Sequence, residues 1–495
     1  MSLSNAGAIA NQSLGAISSQ ISLVSRNIAG ASTTGYAAKT SLLSTNASGG
    51  VDVNGVARAT SLALFQNALQ ATSGQAASSA LSSGLDQLDQ LYGLSTSTAT
   101  DTSSSRSPAA LVAALSSALQ SYSASPSDLT TAQSVLTAAQ SLAQSLNDGS
   151  TAVQNMRAQA DGDIATAVDD INSLLGQFQK ANAAIVSGTQ TGRDVSALED
   201  QRDELLNKLS ADIGVRTITR ANNDMVIYTD SGATLFETTA RNVSFTATAG
   251  YSASTVGSSV YVDGVPVTGA DAAMPIQSGK LQGLTQLRDV VAPQFQNQLD
   301  ELARGLIVSF AETDQTGGGA SAPGLFTYSD ATDVPSVGII PGLAGQITVN
   351  ANADPTKGGS LDRLRDGGIS DPGNSAFDYN ATGDAGYTDR INQLITALST
   401  PQDFDTTAGV GTNQSVADYA SSSIGWLEAQ RQQASSSASY QETLVSQTSQ
   451  ALSNATGVNL DDQMSQMLDL ENAYSASAKL LAAVDAMYKA LFQAL

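Results

Sequence analysis

Several residue types on which many enzymes and extracellular domains depend are missing or scarce. The 495-residue chain has no cysteine, so disulfides and thiolate chemistry are excluded. It also has no histidine, which removes the commonest general base and metal ligand and makes a Ser-His-Asp triad impossible. Only 5% of the residues are aromatic and 14% are charged. This composition favours long helices and loops of small polar residues over a thick enzyme core.

Charge and hydropathy exclude further classes of protein. The net charge of -23 makes binding to nucleic acid or to an anionic membrane unfavourable. No apolar run approaches the roughly 18 residues that a membrane helix needs. The first cation is Arg26, so the N-terminus does not read as a secretory signal peptide. The length predicts about three or four domains.

Apolar side chains recur at helical spacing at both ends of the chain. After Gly457 there is neither proline nor glycine, which predicts one long C-terminal helix. Its stripe consists of Tyr474, Ala478, Leu481, Val484, Tyr488, Leu491 and Leu495. The N-terminal stripe consists of Leu3, Ala6, Ala10, Leu14, Ile17, Ile21, Val24 and Ile28. Matching stripes predict a coiled-coil pair that brings the termini together.

Both terminal stripes are thin, which indicates packing against other copies of the chain and predicts that the two helices are not ordered in a free monomer. The alternative is that they are two ordinary core helices of one globular domain. The predicted subunit-interface residues are Leu14, Ile17, Ile21, Val24, Ile28, Leu481, Val484, Tyr488, Leu491 and Leu495.

Between the ends, helical and strand-like spacing alternate. Pro108 is expected in a first helical turn and Asp128 as an N-cap. Helices are predicted over 60–94, 108–122, 129–146, 151–186, 194–214, 281–312, 389–398 and 415–452. Strand signals fall at Met225 to Tyr228, Val243 to Ala247, the hairpin around Asp263-Gly264, Ile339-Ile340 and Gln346 to Val349; Ser44 to Ala59 reads as a loop or short hairpin.

The order of these elements predicts a mainly α protein with inserted β domains (α+β), a helical rod with terminal coiled-coil helices and β-rich modules. The expected units are a terminal coiled coil (1–36 with 455–495), a helical rod (37–214 with 281–312 and 388–454), a β-rich insert (215–280) and an irregular β/loop excursion (313–387) that packs with the β-rich insert.

Acidic pairs are the main candidates for chemistry. They occur at Asp169-Asp170, Asp461-Asp462 and Asp161-Gly162-Asp163, and paired carboxylates serve in glycoside cleavage or calcium binding. The segment from Asp161 lacks the ligand spacing of an EF-hand loop, and Gly317-Gly318-Gly319 has no following Lys-Ser or Lys-Thr. Solvated helix faces and caps are the simpler interpretation. We therefore predict no catalytic, cofactor or metal site.

The first helix leads into a distinctive turn. Asn27-Ile28-Ala29, followed by Thr33, Gly35 and Tyr36, resembles the N-terminal signature of bacterial flagellar rod, hook and hook-associated proteins. In that family an Asn-Ile-Ala-Asn segment precedes a Thr-Pro-Gly-Tyr turn. Gly30 and Thr34 depart from this pattern, which predicts a softer turn.

Further segments narrow the resemblance to the hook-associated members of this family at the hook–filament junction. They are Asp200 to Leu206, Ser278 to Leu281, Leu287 to Asp289, Gln296 to Asp300, Gly457 to Asp461 and Ala473 to Ala478, and they occur in the family's order.

The resemblance implies a structural subunit, not an enzyme, that joins hook to filament and carries no cofactor. It implies export through the flagellar type III route, an extracellular place in the flagellum, and a cytoplasmic stage before export. The implied partners are copies of itself in a ring, the hook protein, the next hook-associated protein and a cytosolic export chaperone; nucleic acid and membrane are not among them. The predicted chaperone contacts are Leu460, Met464, Met467, Leu468, Tyr474 and Leu481.

Two alternatives remain open. The nearest is another flagellar axial protein: a hook protein, a distal rod protein or a flagellin. A different class is a secreted calcium-dependent adhesin or carboxylate hydrolase with helical stalks.

Overall fold

The structure is a computed structural model that describes residues 3–33, 35–47, 49–92, 106–331 and 333–494. Helices dominate it. They are α1 (Leu3–Gly30), α2 (Leu62–Tyr92), α3 (Pro108–Ala124), α4 (Leu129–Gln190), α5 (Ser196–Asp212), α6 (Lys280–Gln286), α7 (Ala292–Ser309), α8 (Arg363–Asp366), α9 (Asp389–Ser399), α10 (Val416–Thr456) and α11 (Leu460–Ala494).

The strands are short and form separate antiparallel sheets. They are β1 (Lys39–Thr45), β2 (Val51–Arg58), β3 (Val215–Thr219), β4 (Met225–Thr229), β5 (Thr234–Phe236), β6 (Val243–Ser244), β7 (Tyr261–Val262), β8 (Val265–Pro266), β9 (Phe326–Thr327), β10 (Thr348–Val349), β11 (Gln402–Asp403) and β12 (Asn413–Gln414). The predicted fold class, mainly α with inserted β modules, is confirmed.

The 62-residue helix α4 is the axis of the body, and α3, α5 and α7 pack along it. Asp128 is its N-cap, as predicted, and accepts a hydrogen bond from the Thr130 amide at 2.8 Å. The predicted break between two helices, at 147–150, is wrong. Gly149 lies inside α4, where an added Cβ would come within 2.0 Å of the Tyr92 hydroxyl. The glycine therefore permits close packing and does not end the helix.

Helix α7 fixes the irregular segments to the body through buried polar side chains. The Asp300 carboxylate accepts the backbone N–H groups of Gly342 and Ala344, each at 2.8 Å, and burial raises its pKa to about 6. Glu301 and Arg304 form a buried ion pair at 2.8 Å. The predicted helix over 281–312 is present as α6, a π-helical turn at Leu287–Val291, and α7.

The β modules are smaller than the alternating pattern predicted. In the insert, β3–β4–β5 and β6–β7–β8 form two three-stranded sheets. Asp263 and Gly264 both have positive φ, +48° and +80°, as the predicted type I′ hairpin requires. The predicted strand from Val243 to Ala247 is reduced to its first two residues.

In the second excursion, strand pairing is limited to β9 with β10. The prediction of a strand at Ile339-Ile340 is wrong, since both residues lie in irregular backbone held by the turns around them. Within Gln346 to Val349, only Thr348–Val349 is a strand. A 3-10 turn at Leu343–Gly345 lies between the two predicted strand segments.

The described chain contains no helix with both the length and the apolar content that crossing a lipid bilayer would require. At its ends the fold has three further features. The β1–β2 hairpin pairs Lys39 with Arg58 and carries a bulge at Leu42/Leu43, α2 packs along α10, and α1 packs along α11.

Candidate assembly interface

Helices α1 and α11, here called the terminal pair, pack against each other along one narrow seam. Its buried centre consists of Ile17, Val24 and Leu470. Ile21, Ile28, Met467 and Ala473 pack around this centre. Further along, the hydroxyls of Ser13 and Ser477 lie 3.3 Å apart. An added Cβ on Gly7 would make ordinary contact with Val484 at 3.5 Å, so the helices also approach closely there.

The predicted subunit-interface residues of α11 differ in how exposed they are in the single chain. Val484 is buried at 5% exposure, and Leu481 and Tyr488 are half-buried. Leu491 is 50% exposed, although the predicted stripe included it. Leu495 lies outside the described residues. On α1, Ile17 and Val24 are buried, whereas Leu14, Ile21 and Ile28 are half-buried.

The predicted chaperone contacts divide in the same way. Leu460, Met464, Leu468 and Tyr474 are 45–59% exposed, whereas Met467 packs against the seam centre and Leu481 is half-buried. The exposed apolar side chains of α11 form a larger set that the sequence analysis only partly named. We call it the outer face of α11; it consists of Leu460, Met464, Leu468, Tyr474, Leu480, Met487, Leu491 and Phe492.

Where the terminal pair meets the body, one buried amide connects several elements. Asn27 is 1% exposed. Its Nδ2 donates to the Lys39 carbonyl and to Gln463 Oε1, each at 2.8 Å. Its Oδ1 accepts from the Lys39 amide at 3.1 Å and from the Tyr36 hydroxyl at 3.0 Å. This uses the full capacity of an amide, two donated and two accepted bonds, and joins α1, the following turn, β1 and α11.

Ion pairs attach the same region to α5. Lys39 Nζ lies 2.7 Å from Asp200 Oδ2 with its side chain only 4% exposed, and it sits over the Tyr36 ring. Arg58 bridges Asp200 and Asp203, each at 2.6 Å. We call the set Asn27, Tyr36, Lys39, Arg58, Asp200, Asp203 and Gln463 the joint.

Burial shifts the pKa values of several side chains in the joint. It raises the pKa of the Tyr36 hydroxyl, and the Asp200 carboxylate raises it further. Burial also raises the pKa of Asp203, although Arg58 opposes this rise. For Arg58, burial favours the neutral form, but the two carboxylates outweigh it and raise its pKa. The guanidinium therefore stays charged, and the ion pairs persist.

Gly30, a departure from the family signature, has a packing role. It is buried, and an added Cβ would lie 2.6 Å from the Tyr36 ring. The missing Cβ lets the ring pack on α1 and reach Asn27, a role that the prediction of a softer turn did not include. Thr34, the other departure, lies outside the described residues.

The carboxylates considered for catalysis or calcium binding have other surroundings. Asp161 is 3% exposed, so the interpretation of a solvated helix face is wrong for it. It pairs with the buried Arg288 at 2.6 Å and accepts the Thr248 amide at 2.7 Å, which attaches the β insert to α4. Asp169 and Asp170 are exposed. In the described ranges, no three acidic side chains are grouped so that they could hold a metal ion.

Two profiles of flagellar protein families match parts of the chain. A family profile described as "Flagellar hook-associated protein FlgK helical domain" matches residues 85–325. A second, "Flagellar basal body rod FlgEFG protein C-terminal", matches residues 449–494, the end of α10 and all of α11. Together they cover more than half of the chain, in the expected order.

The chain belongs to the flagellar hook-associated protein family. It is a structural protein of the bacterial flagellum. "Flagellar hook-associated protein 1" of Bacillus subtilis (strain 168) is 23% identical over 371 residues, which cover 70% of this chain and 68% of that protein. A solved structure of the flagellar hook junction protein FlgK from Burkholderia pseudomallei aligns with 53% of this chain and 47% of its own, at 22% identity and TM-score 0.41.

Family motifs coincide with the joint. Asn27 and Tyr36 come from the N-terminal signature, and Asp200 and Asp203 come from the segment Asp200 to Leu206. The family motifs contain these four residues but do not show that they meet. Lys39, Arg58 and Gln463 were not predicted: the two cations, one in each hairpin strand, were the only signal for an acidic partner, and nothing in the sequence pointed to Gln463.

Proposed function

We propose that this chain joins hook to filament as a non-catalytic subunit without a cofactor and polymerises through its terminal pair. The match to the hook-associated helical profile carries the proposal, because the C-terminal profile alone is described for rod proteins. The name of the Bacillus subtilis relative supports it. A hook or distal rod protein, the nearest alternative, would not explain the match over residues 85–325.

The terminal pair provides a surface for assembly. The seam covers the apolar side chains of α1 but only one side of α11. The outer face of α11 is therefore exposed to water in a single chain. Exposed apolar side chains along the length of a helix favour packing on further helices. We propose that neighbouring copies cover this face in a ring and that the hook protein and the next hook-associated protein lie above and below it.

The four units defined from the sequence remain our proposal for the domains. The terminal coiled coil would line the inner tube, the helical rod would surround it, and the two β units would face outward. The joint lies at the proposed boundary between the terminal coiled coil and the helical rod, where buried polar contacts connect the terminal pair to α5.

Before assembly, we propose that the chain is exported through the flagellar type III route to an extracellular position and that a cytosolic chaperone first holds α11. Met467 and Leu481 face α1 in the folded chain, whereas Leu460, Met464, Leu468 and Tyr474 are open. A chaperone that used all six would therefore bind before α1 docks.

Electron microscopy of flagella from cells that lack this gene tests the proposal. We expect hooks without filaments and flagellin shed into the medium, with filaments restored when the wild-type gene is returned. Normal filaments in the deletion strain would refute the junction role. Missing hooks would instead favour the hook or rod alternative.

A further inference from the structure

Helices α2 and α10 pack along each other, and at one level they carry three acidic side chains around a single cation. Asp86 and Asp89 come from α2, and Glu428 and Arg431 come from α10. Asp89 is buried, with 3% of its side chain exposed, and Glu428 is half-buried. The group therefore has more carboxylates than one guanidinium can neutralise.

Two oxygen atoms of this group have no hydrogen-bond donor. Among the described residues, none donates to Asp89 Oδ1 or to Glu428 Oε1, and both atoms are buried. Arg431 donates to the other oxygen of Glu428, at 3.1 Å from Nη2 and 3.3 Å from Nε. Its distances to Asp89 and to Asp86 are both 3.7 Å, which is too long for a hydrogen bond.

A buried acceptor without a donor destabilises the fold, and two adjacent ionised carboxylates add repulsion. One proton removes both costs, because a carboxylic acid donates where a carboxylate only accepts. We infer that Glu428 and Asp89 share one proton, which Glu428 Oε1 carries and donates to Asp89 Oδ1. Arg431 then neutralises the negative charge that remains on the pair.

The surroundings agree with this assignment. Burial raises the pKa of Glu428, and its hydrogen bond with the Asp89 carboxyl raises it further, while Arg431 opposes both effects. Among the residues that the structure describes, Asp86 on α2 and Arg431 on α10 are the other charged members of this cluster. Helix α3, which also packs on α10, has no charged side chain, and α7 contributes the Phe295 ring stacked on Trp426.

The shared proton makes the contact between α2 and α10 sensitive to pH. Because the pKa of Glu428 is higher in the folded chain than in the unfolded chain, the stabilisation is complete below the unfolded value. It is lost as the pH rises through the folded value. Helix α2 follows the β1–β2 hairpin and α10 precedes α11, so the pH-sensitive contact lies on the two helices next in sequence to elements of the joint.

Thermal unfolding of the full chain as a function of pH, with Glu428→Gln, tests the inference. Glutamine donates through its amide without titrating, so the melting temperature of this variant should fall less with rising pH than that of the wild type. Asp300, whose pKa burial also raises, titrates in both proteins. Glu442→Gln, at an exposed position on α10, is the control and should follow the wild type. Parallel profiles for wild type and Glu428→Gln would overturn the inference.

A direct titration separates the shared proton from a merely structural effect. Carbon-13 NMR of the Glu side chains, with the Glu428 signal assigned by its loss in Glu428→Gln, should show that this carboxyl titrates above the ordinary range. A Glu428 signal at or below that range would refute the inference. The result does not depend on the proposed junction role, because it needs only the folded chain.

Discussion

Asn27 makes its four hydrogen bonds at a buried position, so its replacement should disturb several elements together. Asn27→Ala leaves the Lys39 amide and carbonyl, the Tyr36 hydroxyl and the Gln463 amide without this partner. We expect hydrogen exchange in the β1–β2 hairpin and in the first turns of α11 to rise roughly 100-fold, which corresponds to about 3 kcal/mol.

The control for this experiment is Asn11→Ala, which removes an exposed amide from the same helix. It should leave exchange in the hairpin and in α11 unchanged. If Asn27→Ala affects only α1, the amide does not couple the elements of the joint, and their arrangement depends on the ion pairs of Lys39 and Arg58.

At the scale of the element, the terminal pair differs from the body in how much it buries. Its seam has three buried side chains at its centre, whereas α4 has a continuous buried stripe. We expect the amides of α1 and α11 in the monomer to exchange at least about 1,000-fold faster than those of α4, since segments with few buried contacts open locally. Hydrogen exchange with mass spectrometry measures this ratio.

The Leu470→Ala variant tests whether the seam protects the terminal pair, because Leu470 lies at the seam centre. It should accelerate exchange in the terminal pair and leave α4 unchanged. Equal protection of α1, α11 and α4 in a monodisperse monomer would show that the seam is stable alone, contrary to the prediction that these helices become ordered on assembly.

Helices could be predicted from the sequence because the apolar period is a local property. The N-cap Asp128 and the turn at Asp263-Gly264 were likewise predictable, since each depends on its own neighbours. The joint was not, because Asn27 bonds to residues 12 and 436 positions away. Gly149 shows the same limit. The sequence suggested a break there, and only the close approach of Tyr92 explains why a glycine stands inside an uninterrupted helix.

For the whole molecule, the question is which apolar residues of α11 act within a chain and which act between chains. Leu491 is 50% exposed, so Leu491→Asp should leave the monomer and the exchange of its terminal pair unchanged. In an assembled ring the same carboxylate would be buried without a partner, at a cost of about 3–5 kcal/mol per subunit. We therefore expect soluble, folded subunits and cells with hooks but few filaments.

Two further variants decide between folding and assembly as the cause. Val484→Asp places the charge inside the seam and should both accelerate exchange of the terminal pair and block assembly, since Val484 is 5% exposed. Gln493→Asp adds the same charge at an exposed polar position and should assemble normally. If cells with Leu491→Asp form full filaments, the outer face of α11 is not part of the interface between subunits. The only role of α11 would then be to form the seam within each chain.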